Sequence, residues 1–323
     1  MNRWLKRMKR IALWAAVGIV VVVIAAAGLQ ALLSHLSLRN NPPPGRLVEL
    51  NGGQVHLLCA GEGSPTVILQ PGAGSLVWMS VFPEIAQLTR VCTYDRPGHG
   101  WSESTSSPRN AETIVQELRM LLQTAEITPP YVLAGHSFGG LLMQLYAARF
   151  PNDFEGVVLV DSSHPDQLHR TSDLKEVEGL VLVLKVVGPL GLARMLLPAI
   201  EGDPNSRDIL VREQERELLM TNRSLRTLVK EMSGMRQSLR EVGDSSVDFG
   251  SKPLVVLTGG RPNRRIEWWL QMQEDLSGLS TNSEWQVVDG AGHFIQHDRP
   301  DVVVDAFRRV IEKLEARADS PLP

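Results

Sequence analysis

Residues 131–140 read Tyr-Val-Leu-Ala-Gly-His-Ser-Phe-Gly-Gly, which centres a serine in Gly135-x-Ser137-x-Gly139. Val132 and Leu133 before it favour a strand, and Leu141 to Phe150 after it carry an amphipathic helical pattern. A chain that turns sharply from strand into helix forces its central residue into a strained conformation. Glycines two residues to either side let neighbouring backbone pass closely. The spacing therefore predicts a nucleophile elbow with the Ser137 hydroxyl held out at the end of a sheet. The same pentapeptide can fall by chance on a surface loop, but the runs on both sides argue against that.

Three further segments extend the pattern. Residues 66–74, Thr-Val-Ile-Leu-Gln-Pro-Gly-Ala-Gly, read as a strand entering a glycine-containing turn. Residues 91–102, Val-Cys-Thr-Tyr-Asp-Arg-Pro-Gly-His-Gly-Trp-Ser, read as a strand and its loop, as do residues 287–294, Val-Val-Asp-Gly-Ala-Gly-His-Phe. With the elbow, these resemble, in order, the motifs of the α/β-hydrolase superfamily, and the resemblance covers most of the chain. It implies an α/β fold, the alpha/beta-hydrolase fold: a mostly parallel eight-stranded sheet flanked by helices, with an inserted helical cap. Strand-like runs at 46–50, 54–59, 66–70, 91–95, 131–135, 156–160, 253–258 and 284–289 supply the eight strands. Helical patterns between most of them from residue 79 onward fit a sheet covered on both faces.

The expected division is a basic flank and membrane helix over 1–40, a hydrolase core over 41–161 and 251–323, and a helical cap over 162–250. The last interval holds no convincing strand. Leu225, Leu228, Val229, Met232, Met235, Leu239 and Val242 recur at three- and four-residue spacing, which predicts one amphipathic helix. The more apolar segment 180–200 is interrupted by Lys185, Gly188-Pro189 and Arg194, which argues against a second membrane span. It is expected to pack the cap, with an acyl-chain wall or a lipid-contacting surface as the sharper alternative.

A serine hydroxyl must lose its proton as it attacks, so Ser137 needs a base within hydrogen-bond reach. His293, after the last strand and between glycine-rich turns, is the candidate among eight histidines. In many members of the family the acid follows the penultimate strand, where this chain reads Thr258-Gly259-Gly260-Arg261-Pro262-Asn263-Arg264-Arg265, without a carboxylate. Some members instead take it from the end of the preceding strand, where Asp161 stands in the order Ser, acid, His. Asp166 and Glu267 are the reserves, and a site lacking the acid is the other explanation. Phe138 N–H and Gly72 N–H are the expected oxyanion donors, with Ala73 as the alternative to Gly72. Asp95 and Arg96 are expected to form an ion pair supporting their loop. Trp78 and Trp101 either line a pocket or pack the core. Neither metal-ligand spacing nor a phosphate loop is present, so no metal and no cofactor is expected.

The chain has 323 residues, enough for one substantial core and a small extra subdomain. Residues 11–33 form an apolar stretch broken only by Gly18, Gly28 and Gln30, and Arg3, Lys6, Arg7, Lys9 and Arg10 precede it. This is long enough to cross a bilayer and longer than a usual signal-peptide core. Ala25-Ala26-Ala27 still offers a cleavage site, so the expectation is a membrane-anchored protein, or alternatively one secreted after cleavage. Positive charge on the short flank places that end in the cytoplasm and the rest of the chain outside. The first 40 residues hold six basic and no acidic side chains, which leaves 27 basic against 36 acidic, net −9, in the remainder. Such a domain offers nucleic-acid phosphates nothing to bind. Pro42-Pro43-Pro44-Gly45 reads as a stiff linker. Cys59 and Cys92, on strands that the resemblance makes neighbours, are expected as two small buried hydrophobes rather than a disulfide, because adjacent strands often suit disulfides poorly.

The function expected is a serine hydrolase cleaving carboxylic esters of small molecules or lipids through an acyl-enzyme. A membrane-surface lipid hydrolase or acyltransferase is one alternative. A non-catalytic member that binds a ligand or partner is another.

Overall fold

The computed structural model describes residues 2–72, 77–196, 209–261 and 266–318. Ala73, Gly74 and residues 262–265, which figured in the expectations above, lie outside the described residues.

Eight strands form one sheet: β1 Arg46–Leu50, β2 Gly53–Ala60, β3 Thr66–Gln70, β4 Val91–Tyr94, β5 Tyr131–His136, β6 Phe154–Val160, β7 Leu254–Gly259 and β8 Ser283–Val288. Their order is β1-β2-β4-β3-β5-β6-β7-β8. β2 runs antiparallel to both neighbours and every other pairing away from it is parallel, so the sheet is mixed at one end. The central strands are apolar throughout because both faces are covered. Alternate residues serve opposite layers. Ile68, Leu133, Val157, Leu159, Leu254 and Val256 face one core cluster; Val67, Leu69, Val132, Val158, Val255 and Leu257 face the other.

Helices α2 (Phe82–Ile85), α3 (Ala111–Thr124) and α4 (Phe138–Arg149) follow α1 (Asn2–Asn40) in chain order. After β6 comes a 3-10 turn, Pro165–His169, then α5 (Thr171–Val187), α6 (Ala193–Leu196), α7 (Ile209–Leu219), α8 (Asn222–Ser233) and α9 (Met235–Gly243). α10 (Ile266–Ser277), α11 (Ile295–Asp298) and α12 (Pro300–Ala318) complete the set. α3 and α4 cover one face of the sheet, and α2 and α12 cover the other.

The amphipathic pattern of 225–242 is two helices rather than one. The chain breaks at Gly234, which packs closely on the loop before α3: an added Cβ would stand 3.0 Å from the Arg109 carbonyl oxygen. Hydrophobic periodicity survives the break because α8 and α9 both turn their apolar faces inward, burying Leu225, Leu228, Leu239 and Val242.

Cys59 and Cys92 are joined by a disulfide, against the expectation of two free thiols. They are directly opposed in the β2–β4 antiparallel pair, with Cα atoms 4.1 Å apart. Directly facing antiparallel residues come that close at the non-hydrogen-bonded positions.

α1 is continuous for 39 residues, and residues 3–25 are exposed along their length. Its last turns dock on the helical segment through one face: Gln30, Ser34 and Ser37 are buried. Gln30 Nε2 donates to the Met220 carbonyl at 2.8 Å, and Ser34 Oγ accepts Asn222 N–H at 3.0 Å. The following linker is also bound down: Trp101 Nε1 donates to the Asn41 carbonyl at 2.6 Å, and His56 Nε2 meets the Pro44 carbonyl.

Candidate active site

Four strand ends converge at one edge of the sheet. The register pairs Gln70 with Gly135, His136 with Val160, and Gly259 with Val288. The residues just beyond β3, β5, β6 and β8 therefore meet outside the carboxyl end, where open α/β sheets place their sites.

Ser137 lies between β5 and α4 with φ 54° and ψ −126°. A side-chain-bearing residue in such a conformation costs about 1–3 kcal/mol. The tight elbow depends on missing side chains around it. A Cβ on Gly139 would lie 2.3 Å from the Gln70 carbonyl oxygen, and one on Gly72 would lie 2.9 Å from Ser137 Cβ. Asp161, after β6, also has positive φ, 42°, which aims its carboxylate across the edge rather than along its own strand.

The three side chains singled out from the sequence lie in one hydrogen-bonded line. Ser137 Oγ is 3.0 Å from His293 Nε2, and His293 Nδ1 is 2.6 Å from Asp161 Oδ2. Asp161 is buried while the His293 side chain is 44 % exposed, so the described helices leave the site open to solvent. Of the reserve acids, Asp166 lies beside His164 at 3.9 Å and Glu267 is on the exposed side of α10. His136 turns its Nε2 to the His293 carbonyl at 2.9 Å, with the two rings 4.6 Å apart. Burial, reinforced by the nearby His293, holds the His136 imidazole well below the usual histidine range. It is neutral at physiological pH and adds no charge against a proton arriving on His293.

One supporting group was missed from the sequence and a second was assigned the wrong partner. Asp161 Oδ1 accepts the backbone N–H of Gly259 at 3.0 Å and the indole N–H of Trp269 at 2.8 Å. Trp269 lies 108 positions away on α10, and no local pattern marks it. With His293, these three donors bind both oxygens of Asp161 and fix its rotation. Trp269→Phe is expected to lower turnover about tenfold, the order of one neutral hydrogen bond to a charged partner, with KM little changed. Steady-state kinetics of the variant measures the split.

The second group is Arg96. It does not pair with Asp95, contrary to expectation: Asp95 binds His56 Nδ1 at 3.0 Å and the Trp101 backbone N–H at 2.9 Å. Arg96 instead grips Glu231 of α8 with two N–H groups, each at 2.9 Å. Its remaining donors reach the Pro71 carbonyl at 2.6 Å and the Gly72 carbonyl at 2.5 Å. In a trans peptide the N–H points opposite to the C=O. By holding the Pro71 carbonyl, Arg96 thus turns the N–H of Gly72, the donor read from the sequence, away from itself. Burial alone would raise the Glu231 carboxyl, but Arg96 and His99 outweigh it and hold it far below the usual carboxylate range.

That depressed value makes Glu231 a source of stability present above its unfolded value, about 4.3, and lost as pH falls below it. Glu231→Gln is expected to lower Tm at pH 7 by several degrees, with a difference that shrinks toward pH 3. Thermal melts across pH 3–8 test it.

Trp78 and Trp101 pack rather than face the site. Trp78 is fully buried against Phe307 and His136, and Trp101 against His56 and Leu218. Phe138 is the first residue of α4, so its N–H has no acceptor within the helix and is available to a ligand.

The model of the alpha/beta hydrolase family matches residues 67–306, which runs from β3 into the start of α12 and leaves out α1, β1 and β2. The chain belongs to the alpha/beta hydrolase family. An uncharacterized protein of Schizosaccharomyces pombe is 28% identical to this chain over 239 residues, covering 72% of this chain and 43% of the relative. The chain thus spans less than half of that relative's length. Among solved structures, the epoxide hydrolase CorEH superposes with a TM-score of 0.66 at 21% identity, covering 83% of this chain and 98% of the other. The enol-lactonase of Burkholderia xenovorans does so with a TM-score of 0.60 at 19% identity, covering 83% and 100%. These likenesses concern the fold alone.

Proposed function

We propose that this protein is a serine hydrolase that cleaves carboxylic esters through an acyl-enzyme on Ser137. The observation that carries the reading is the unbroken line Ser137 Oγ to His293 Nε2 to Asp161, built on a serine whose backbone is strained toward the open end of the sheet.

In this mechanism Ser137 Oγ attacks the ester carbonyl carbon as His293 Nε2 takes its proton. Asp161 holds Nδ1–H and stabilises the imidazolium that results. The carbonyl oxygen becomes an oxyanion facing the Phe138 and Gly72 N–H groups. Collapse expels the alkoxide, which His293 protonates. A water then repeats the attack on the acyl-enzyme, and the acid and free Ser137 are released. The neutral state of His136 suits this cycle, because a second positive ring 4.6 Å away would oppose the imidazolium.

Two solved neighbours are an epoxide hydrolase and an enol-lactonase. The resemblance implies an aspartate nucleophile for epoxide hydrolases, and position 137 is serine, which favours attack on an acyl carbon. Asp161 beside His293 also weakens the non-catalytic reading, whose motive was a missing acid. The long exposed helix α1 supports a membrane anchor, and the Cys59–Cys92 disulfide suits an oxidising compartment outside the cytoplasm. The helices of 165–243 correspond to the proposed cap, and the core comprises the sheet with α2–α4 and α10–α12.

Full-length protein in detergent, given p-nitrophenyl esters of short to long acyl chains, is expected to turn over at least one of them, with a fluorophosphonate labelling Ser137. Hydrolysis of a styrene-oxide-type epoxide without any ester turnover or labelling would overturn the proposal.

A further inference from the structure

Outside α1, the described residues expose only seven large hydrophobic side chains, and five of them are neighbours. Leu182, Val183 and Val186 on α5, with Leu192 and Met195 just after it, are 67, 46, 61, 43 and 76 % exposed. The remaining two, Leu47 and Val287, lie on β1 and β8, the opposite edge strands of the sheet. A soluble surface scatters such residues singly, and a cluster calls for a partner. The same segment packs normally on its other side, where Val181, Leu184 and Ala193 are buried. The exposed face is therefore not a helix left unpacked.

Its place relative to α1 selects the partner. A Cβ on Gly191 would touch the Gln30 side chain at 3.1 Å, and Arg194 Nε donates to Gln30 Oε1 at 3.0 Å. The apolar stretch begins at Ile11, and at 1.5 Å per residue Gln30 is about 29 Å further along the helix. That matches the roughly 30 Å of a bilayer's hydrocarbon core. The turn at Leu192 and the short helix α6 carrying Met195 are thus fastened to α1 at the depth where an anchored helix leaves the lipid. Polarity along α5 runs the same way. Its exposed residues near the start are Lys175, Glu176 and Glu178, and near the end Leu182, Val183 and Val186. Lys185 is the one exposed charge in the apolar half, and a lysine at that level can extend its ammonium to the headgroups.

We propose that the end of α5 and the turn and short helix through Met195 form a second membrane contact that rests in the outer boundary of the bilayer beside α1. This rests on the reading of α1 as a membrane anchor. The contact makes the lipid surface part of the surroundings of α5, whose other end adjoins the 3-10 turn following Asp161. Arg170, the residue before α5, lies 4.3 Å over the Trp268 ring, next to the tryptophan that binds Asp161. α5 so connects the lipid boundary to the edge of the site.

Both native cysteines are in the disulfide, so a single introduced cysteine can be labelled alone. The full chain in phosphatidylcholine vesicles, carrying a nitroxide at Leu182→Cys, Val186→Cys or Met195→Cys in separate variants, is compared with Val21→Cys in α1 and Arg308→Cys on α12. All five positions are exposed in the isolated chain, so the substitutions leave the core untouched. The expected result is that 182, 186 and 195 collide with oxygen more than with a water-soluble nickel chelate, as 21 does, while 308 shows the reverse. If 182, 186 and 195 behave as 308 does and 21 reads as lipid-embedded, the contact is overturned and the anchor stands. A water-like signal at 21 overturns the anchor and the contact with it. Spin–spin broadening at 182 or 195 assigns the face to a second copy of the chain and also overturns the proposal.

Discussion

Asp161→Asn lowers ester turnover by about 10⁴-fold while leaving Tm close to that of the parent. The expectation follows from which donors meet this side chain. Asp161 Oδ1 accepts two N–H groups, from Gly259 and Trp269, and Oδ2 faces His293 Nδ1 at 2.6 Å. An asparagine keeps its one carbonyl oxygen toward the two fixed donors and must present its NH₂ to His293. Two donors cannot face each other, so the imidazole is driven to the tautomer with the proton on Nε2, which can no longer accept from Ser137. The fold contacts survive because Oδ1 is retained. Kinetics and thermal melts on the same preparation check both halves. Near-parental turnover would remove Asp161 from the mechanism, and a large fall in Tm would reassign it to structure.

Ser137→Ala is expected to abolish fluorophosphonate labelling and to reduce turnover on the order of 10⁶-fold, leaving only what the oxyanion donors and binding supply. Alanine keeps the Cβ, so the strain at φ 54° persists and stability is little altered. Ser137→Gly provides the contrasting measurement. It is equally inactive, but glycine tolerates positive φ, so it should be more stable than Ser137→Ala by about 1 kcal/mol. Equal melting of the two variants would mean that the elbow stores no strain.

The elements that were legible in the sequence are those whose determinants are local. The central strands were readable because a strand covered on both faces is a short continuous apolar run, such as Val157 to Val160, and the observed limits of β6 and β7 differ from the reading by only a residue or two. Ser137 and His293 were legible because short glycine-rich turns must follow their strands. Asp161 was legible only through chain order.

What escaped depends on separation along the chain. Trp269 reaches Asp161 across 108 positions, and Glu231 reaches Arg96 across 135. Neither carries a spacing signal, since either could have been any exposed helical residue. Asp95 and Arg96 are adjacent in sequence, which suggested a pair, but adjacent residues beyond a strand point to opposite sides and each found a different partner. The break between α8 and α9 was hidden because periodicity reports which face is buried, not whether the axis is continuous. The disulfide was misjudged on general geometry. Residue-by-residue register decides whether two cysteines on neighbouring strands face each other, and a register was not available from composition.

The docked end of α1 alters what proteolytic release would produce. Ala25-Ala26-Ala27 lies ahead of Gln30 and Ser34, the side chains by which the helix holds to Met220 and Asn222, and of buried Ser37. A cut at the alanines would remove the lipid-spanning part and leave thirteen residues of helix, 28–40, still bonded to the domain as one of its own packing elements. The shed product would carry its former anchor stub as a fixed part of its surface. A soluble form designed from residue 28 should accordingly outlast one begun at residue 41, which would uncover the Met220 carbonyl and the Asn222 amide together.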